Sequence, residues 1–359
     1  MWVESYTLFI LLLLPLMSLP EDHNVSTGKL SAVFNSTSAS YKFYWFLAIL
    51  ESIEEGKDEI TKHELFARMI ANAWYTVNYF QVSFGKTDNI QSAIEVLKNH
   101  ELIDINEKKQ IIIKHLINSS SKETKKQLKH FDSEVPHRFL SPWIGSHGSK
   151  ASLYSLSQLR ENHTPYALFK DSILIQPDWL VYFKRNSGML KDFCYWNLTL
   201  FLQSRNPNVP DIPNKLQRPE NRGSLSKHKV GFWDIVMKEL GHVDCIYTGK
   251  KLIKGTYAVE HFIPFQFVAH DLMWNLIPAD PSFNSSKGSK LPQMDMYFND
   301  FYELQKEAVD IVRKVKPKNQ FLEEYLTVFP NLNLNKDKYE ECIQPMLTIA
   351  HNNGFQYMK

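Results

Sequence analysis

Glu260 and His261 stand side by side in Tyr257-Ala-Val-Glu-His-Phe-Ile-Pro264, just before an Ile-Pro pair. Asn275 follows in Trp274-Asn275-Leu276, and Asn284 precedes Lys287 by three residues in Phe283-Asn-Ser-Ser-Lys287. A carboxylate and an amide carbonyl are hard oxygen donors that suit Mg²⁺ or Mn²⁺, with waters and phosphate oxygens completing an octahedron. An imidazole titrates near neutrality and can take a proton from water, a contribution of about 10²–10⁴ in rate. A lysine one helical turn from Asn284 can approach the same phosphate. These are the parts needed to deprotonate a water, hold one divalent cation and grip a phosphate, with the metal stabilising the departing 3′ oxygen of a phosphodiester. The expected catalytic set is therefore His261 as general base with Glu260 and Asn284 as metal ligands. Successive strand residues point to opposite faces, so Glu260 and His261 could serve metal and water only where a strand ends, and Ile263-Pro264 supplies that end.

In this order and spacing the residues resemble the HNH, or ββα-metal, nuclease superfamily over about residues 241–292. From Val259 to Pro292 the spacing is similar to the HNH domain of RNA-guided CRISPR effectors. The resemblance implies a metal-dependent endonuclease acting on DNA, with Mg²⁺ or Mn²⁺ as cofactor. It gives Asn275 a structural role, pinning the loop that carries His261. Phage defence or restriction is the setting implied by analogy. Two departures stand out. Many relatives brace this fold with zinc on two Cys-x-x-Cys pairs, whereas here Cys245 and Thr248, then Asp280 and Phe283, occupy those places. One thiolate cannot hold a tetrahedral structural site, so hydrophobic packing is expected instead of zinc. Glu260 also stands where Asp or His is usual, which lengthens the metal arm by one methylene and keeps the charge.

The 359 residues, 43% of them hydrophobic, suffice for a large core and two or three domains. A net charge of +2 offers no global attraction for nucleic acid, so any such surface must be local. Candidate phosphate contacts are Lys287, Lys290, Lys250, Lys251 and Lys254 around the motif, and Lys215, Arg218 and Arg222 in a basic stretch upstream. Duplex DNA is the expected partner, and these residues leave the choice between DNA and RNA open. Three scattered cysteines argue against a disulfide framework and suit a cytoplasmic protein. The six Asn-x-Ser/Thr sequons are read as unmodified, because a glycan on Asn284 would destroy the site. An apolar run from Leu8 to Leu19 lacks a basic flank and a clean cleavage pattern, and falls short of the ~20 residues a spanning helix needs. It is expected to be a buried extended segment, or an upstream start that is not biologically used, rather than a signal or membrane anchor.

The supporting elements read as an α+β chain, predominantly helical. A helical N-terminal domain over 1–135, with the apolar segment at 1–20, shows an apolar face at Phe43, Phe46, Leu47, Leu50 and Ile53. A capping box, Thr61-Lys-His-Glu64, opens its next helix. Lys122, Lys125, Lys126 and Lys129 line one face of a further helix, a pattern usual for plain solvated surface. A mixed region over 150–235 contains a hairpin from Tyr166 to Ile175, a helix opened by Pro177 and a basic linker at 214–229. The nuclease module spans 236–298, with Lys250–Ile253 and Thr256–Glu260 expected to pair across a Gly255 turn. Helices over 299–359, beginning with an amphipathic one at Asn299–Val315, cover it.

Overall fold

The computed structural model describes residues 19–218 and 223–359. The chain is α+β and mostly helical, and it divides into two units. Unit 1 holds residues up to Trp74 and Phe84–Leu202; unit 2 holds Tyr75–Ser83 and Gln203–Lys359. The apolar run ending near Leu19, and with it the expected buried segment, lies outside the described residues apart from Leu19 itself, which is buried. Arg222 also lies outside them. No helix among the described residues is long and apolar enough to cross a membrane.

The longer helices of unit 1 are α1 (Tyr41–Glu54), α2 (Lys62–Asn78, running into unit 2), α3 (Asn89–Glu101), α4 (Lys109–Asn118), α5 (Lys122–His130), α6 (Lys150–Gln158) and α7 (Pro177–Arg205, its end also in unit 2). Helix α1 departs from its expected one-faced pattern, with Tyr44, Trp45, Ala48 and Ile49 as buried as Phe43 and Phe46. A helix buried all round is one that runs through the core. Trp45 accordingly spends its indole N–H on Tyr166 Oη at 2.9 Å, and Tyr166 donates to the Pro136 carbonyl at 2.7 Å. The hairpin forms as β2 (Tyr166–Leu168) and β3 (Ser172–Ile175), and β3 also pairs antiparallel with β1 (Glu59–Thr61). The expected break between 135 and 150 thus falls inside unit 1, because the pairing of β1 with β3 ties the hairpin to the N-terminal region.

Unit 2 contains α8 (Asp234–Leu240), β4 (Val243–Asp244), β5 (Lys251–Leu252), β6 (Ala258–His261), β7 (Leu276–Ala279), α9 (Pro281–Lys287), α10 (Met294–Val315) and α11 (Lys336–Asn352). Its strand pairing differs from the expected hairpin. β5 turns back to β4, and β6 pairs antiparallel with β7, Glu260 opposite Ile277 and His261 opposite Leu276. The Gly255 turn does form, but Thr256 closes it on itself: its hydroxyl accepts from the Ile253 amide at 3.1 Å and donates to the Ile253 carbonyl at 3.0 Å. That local pairing ends the ladder, and the apolar β6 finds its partner in the apolar run Leu276–Ala279. Helix α9 follows β7 directly, with Asp280 as N-cap accepting from Ser282 N–H at 3.1 Å and Pro281 at the first helical position. Strand, loop, strand and helix therefore bring Glu260, His261 and Asn284 into one compact element.

Candidate active site

His261 is the last residue of β6 and 4% exposed. Beyond it, Asn275 is fully buried and grips Ile263 twice: Oδ1 accepts the Ile263 N–H and Nδ2 donates to the Ile263 carbonyl, both at 2.8 Å. The Asn275 carbonyl takes the Phe262 N–H at 2.8 Å, so the turn after His261 is fastened to the start of β7. Pro264 then begins a short helix, Phe265–Val268, and the Phe265 ring lies 5.7 Å from the His261 ring.

The contact that decides the chemistry of His261 is with a residue outside the expected set. Asp271 Oδ1 lies 2.8 Å from His261 Nε2. A carboxylate there holds the proton of the neutral ring on Nε2, which makes Nδ1 the nitrogen that bears the lone pair. The loop bearing Asp271 is itself gripped from the C-terminal helices. Glu324 accepts the Met273 N–H at 2.7 Å, Gln305 on α10 donates to the Leu276 carbonyl at 2.8 Å, and Tyr339 on α11 donates to the Trp274 carbonyl at 2.5 Å. Two further histidines border this loop. Burial pushes His270 down to about 4 and lowers His228, so burial favours the neutral form of each. Glu324 is moved upward, also by burial.

Glu260 is 8% exposed and meets Lys287 Nζ through Oε1 at 2.6 Å. Lys287 also donates to the carbonyls of His261 at 2.7 Å and Phe262 at 3.4 Å, and its side chain is wholly enclosed. Expected at a phosphate, Lys287 instead clamps the end of α9 to the end of β6. Burial lowers its pKa, and the neighbouring Glu260 opposes that shift. Asn284, one turn earlier on α9, is partly exposed, and its side chain makes no hydrogen bond with the described residues. The Asn284 amide oxygen, without a hydrogen-bond partner among the described residues, and Glu260, hydrogen-bonded through Oε1, are donors of the kind a hard divalent cation takes.

Residues 245–293 match the family model of the HNH endonucleases. This stretch is an HNH endonuclease module. The match covers that segment alone, and comparisons with curated proteins and with solved structures return no match for the chain.

Around the HNH module, Lys250, Lys251, Lys254 and Lys290 are all exposed, Lys250 lying 3.4 Å from Asp280 and Lys254 4.0 Å from Asp234. Arg218 is exposed, with its guanidinium 5.9 Å from the Tyr75 ring. Lys215, expected at a phosphate, is instead buried: its side chain donates to the Pro210 carbonyl and lies over the Phe80 ring, so it cannot meet a phosphate. Burial pushes its pKa down to about 7. Where relatives place zinc ligands, Tyr247 stacks on Phe283 at 4.5 Å, and the buried Cys245 thiol accepts the Asp280 N–H at 3.4 Å. Asp271 was missed because nothing in its spacing marks it. A carboxylate ten residues after a histidine is common, and only the β6–β7 loop turns the two together.

Proposed function

We propose that the HNH module hydrolyses phosphodiester bonds in DNA, with Mg²⁺ or Mn²⁺ held by Glu260 and Asn284. The observation that carries this reading is the His261–Asp271 contact at 2.8 Å on a residue next to a buried carboxylate. His261 would accept a proton from the attacking water at Nδ1, while Asp271 accepts the Nε2 proton and orients the ring. When bound, the cation would supply Lewis acidity at the departing 3′ oxygen. Lys287 holds Glu260 and the backbone of His261, keeping the two chemical groups in register with Asn284. Exposed Lys250, Lys251, Lys254 and Lys290 are the proposed backbone contacts. Phage defence or restriction, in a cytoplasm, is proposed by family analogy alone.

One observation favours a second reading, a DNA-binding protein that no longer cuts. The Lys287 ammonium already neutralises Glu260, which weakens its attraction for a cation. Plasmid cleavage with Mg²⁺, Mn²⁺ and Ni²⁺ separates the two. Loss of cleavage in His261→Ala supports the nuclease; undiminished cleavage rules out His261 as the base. Wild-type protein that binds duplex DNA and cuts with none of the metals establishes the second reading.

A further inference from the structure

Unit 1 carries its own concentration of positive charge, away from the HNH motif in the sequence. Lys122, Lys125, Lys126 and Lys129 on α5, with His130, line an open concavity of about 650 Å³. Asn89, Ser92 and Gln127 complete its lining, which contains no Asp or Glu. Elsewhere unit 1 neutralises lysines with acids: Lys57 with Glu64 at 2.5 Å, Lys62 and Lys150 with Asp132 at 2.9 and 2.7 Å, Lys109 with Glu51 at 2.7 Å. On α5 only Lys126 has such a neighbour, Glu123 at 3.7 Å. Lys122, Lys125 and Lys129 are exposed and have no acidic partner among the described residues. Three like charges left unneutralised along one helix repel one another, and an anionic partner would relieve that repulsion.

The surface continues. Asn89 also lines a second concavity of about 690 Å³, rich in serine hydroxyls, in which Arg138 is paired with Glu134 at 2.6 Å and Lys150 with Asp132, and Lys42 adds a further cation. Lys42 donates to the carbonyls of Val33 and Ser36 and to no acid among the described residues. From Lys122 to Lys129 the helix rises about 10 Å, the axial span of roughly three phosphates on one DNA strand. A lining of cations and neutral donors on α5, continued by a second concavity whose lining holds one carboxylate, suits a polymer of phosphates better than a single small anion.

We propose that this face of unit 1, centred on Lys122, Lys125 and Lys129, binds the sugar-phosphate backbone of the nucleic acid on which the HNH module acts. The proposal rests on the nuclease reading for the identity of the polymer and is independent of it for the surface. It assigns α5 a positioning contact and makes no claim on sequence recognition, since backbone contacts carry none.

The test is fluorescence anisotropy with the full chain in EDTA, using a 30-bp duplex DNA and a 30-nucleotide RNA, over a range of salt. The triple variant Lys122→Glu, Lys125→Glu, Lys129→Glu is compared with wild type and with Lys314→Glu, Lys316→Glu, Lys318→Glu, three exposed lysines at and beyond the end of α10. Expected for the α5 variant is a loss of at least about tenfold in affinity, with the slope of log K against log salt shallower by about 2 to 3. The α10 variant should keep the wild-type slope. Unchanged binding by the α5 variant, equal loss in both variants, or wild-type binding to heparin with neither nucleic acid bound would each overturn the proposal. Normal His261-dependent cleavage with unchanged α5-variant binding would overturn this surface and leave the nuclease standing. α5-dependent binding by a protein that never cuts would do the reverse.

Discussion

Replacing Lys287 with methionine isolates the clamp at the centre of the site. Methionine keeps the length of the side chain and removes all three donations, to Glu260 Oε1 at 2.6 Å and to the carbonyls of His261 and Phe262 at 2.7 and 3.4 Å. Lys287 is fully enclosed and Glu260 nearly so, so the carboxylate would stay buried without a countercharge. Breaking a buried pair from one side costs about 3–5 kcal/mol. In a unit of this size each kcal/mol moves the melting temperature by about 2–4 °C, so the transition of unit 2 should fall by about 6–20 °C. Differential scanning calorimetry in EDTA reads this directly. Addition of Mn²⁺ should recover more of the loss in the variant than it adds to wild type, because a cation that binds only the folded form stabilises it by mass action. A fall of less than about 2 °C would refute the clamp. An Mn²⁺ effect no larger in the variant than in wild type would refute Glu260 as the cation's ligand.

Asn275→Ala should destabilise unit 2 by about 2–6 kcal/mol in urea titration, since it orphans both the N–H and the carbonyl of Ile263, each costing about 1–3 kcal/mol; a change within about 0.5 kcal/mol, roughly the level of a surface substitution, would contradict that account. Asp271→Ala should lower the cleavage rate by about 10- to 100-fold while calorimetric Mn²⁺ affinity stays unchanged, and an unaltered rate would remove Asp271 from the mechanism. Lys215 has a folded pKa of about 7, below its ordinary 10.5, so the folded state binds fewer protons than the unfolded one between those values and wild-type stability rises with pH across that window. Lys215→Met should therefore stabilise most below pH 7, with the gain fading toward pH 10.5; a gain independent of pH in chemical denaturation would be inconsistent with a buried ammonium. A zinc-selective chelator should leave the melting temperature of unit 2 unchanged, because the Tyr247–Phe283 stack fills the place of the second ligand pair; a clear drop would reveal a structural zinc.

Elements with strong local signals were readable residue by residue. The lysine-rich α5 begins and ends where its pattern does, the Tyr166–Ile175 hairpin forms around its expected turn, and Pro177 opens α7. The pairing of β6 was not readable. A Gly turn between two short apolar runs favours a local hairpin, and the competing choice, Leu276–Ala279, depends on a fourteen-residue excursion whose stability comes from Asn275 and the helices beyond it. Burial was equally hidden. Lys215 and Lys287 read as surface cations because lysine usually is one, and both are enclosed by segments distant in sequence.

Sequence by itself determined the chemistry on offer: a Glu-His pair, two asparagines and a lysine at spacings that an HNH module uses, matched over 245–293. Residue type and local spacing suffice for that, because donor hardness and basicity belong to the side chains themselves. The tertiary structure decided what each group faces. It put Asp271 on His261, closed Lys287 over Glu260 and left the Asn284 side chain without a hydrogen-bond partner among the described residues. Those contacts join residues 10 to 27 positions apart through a strand pair, a loop and a helix end, and a hydrogen bond depends on ångström-scale placement that no local pattern encodes.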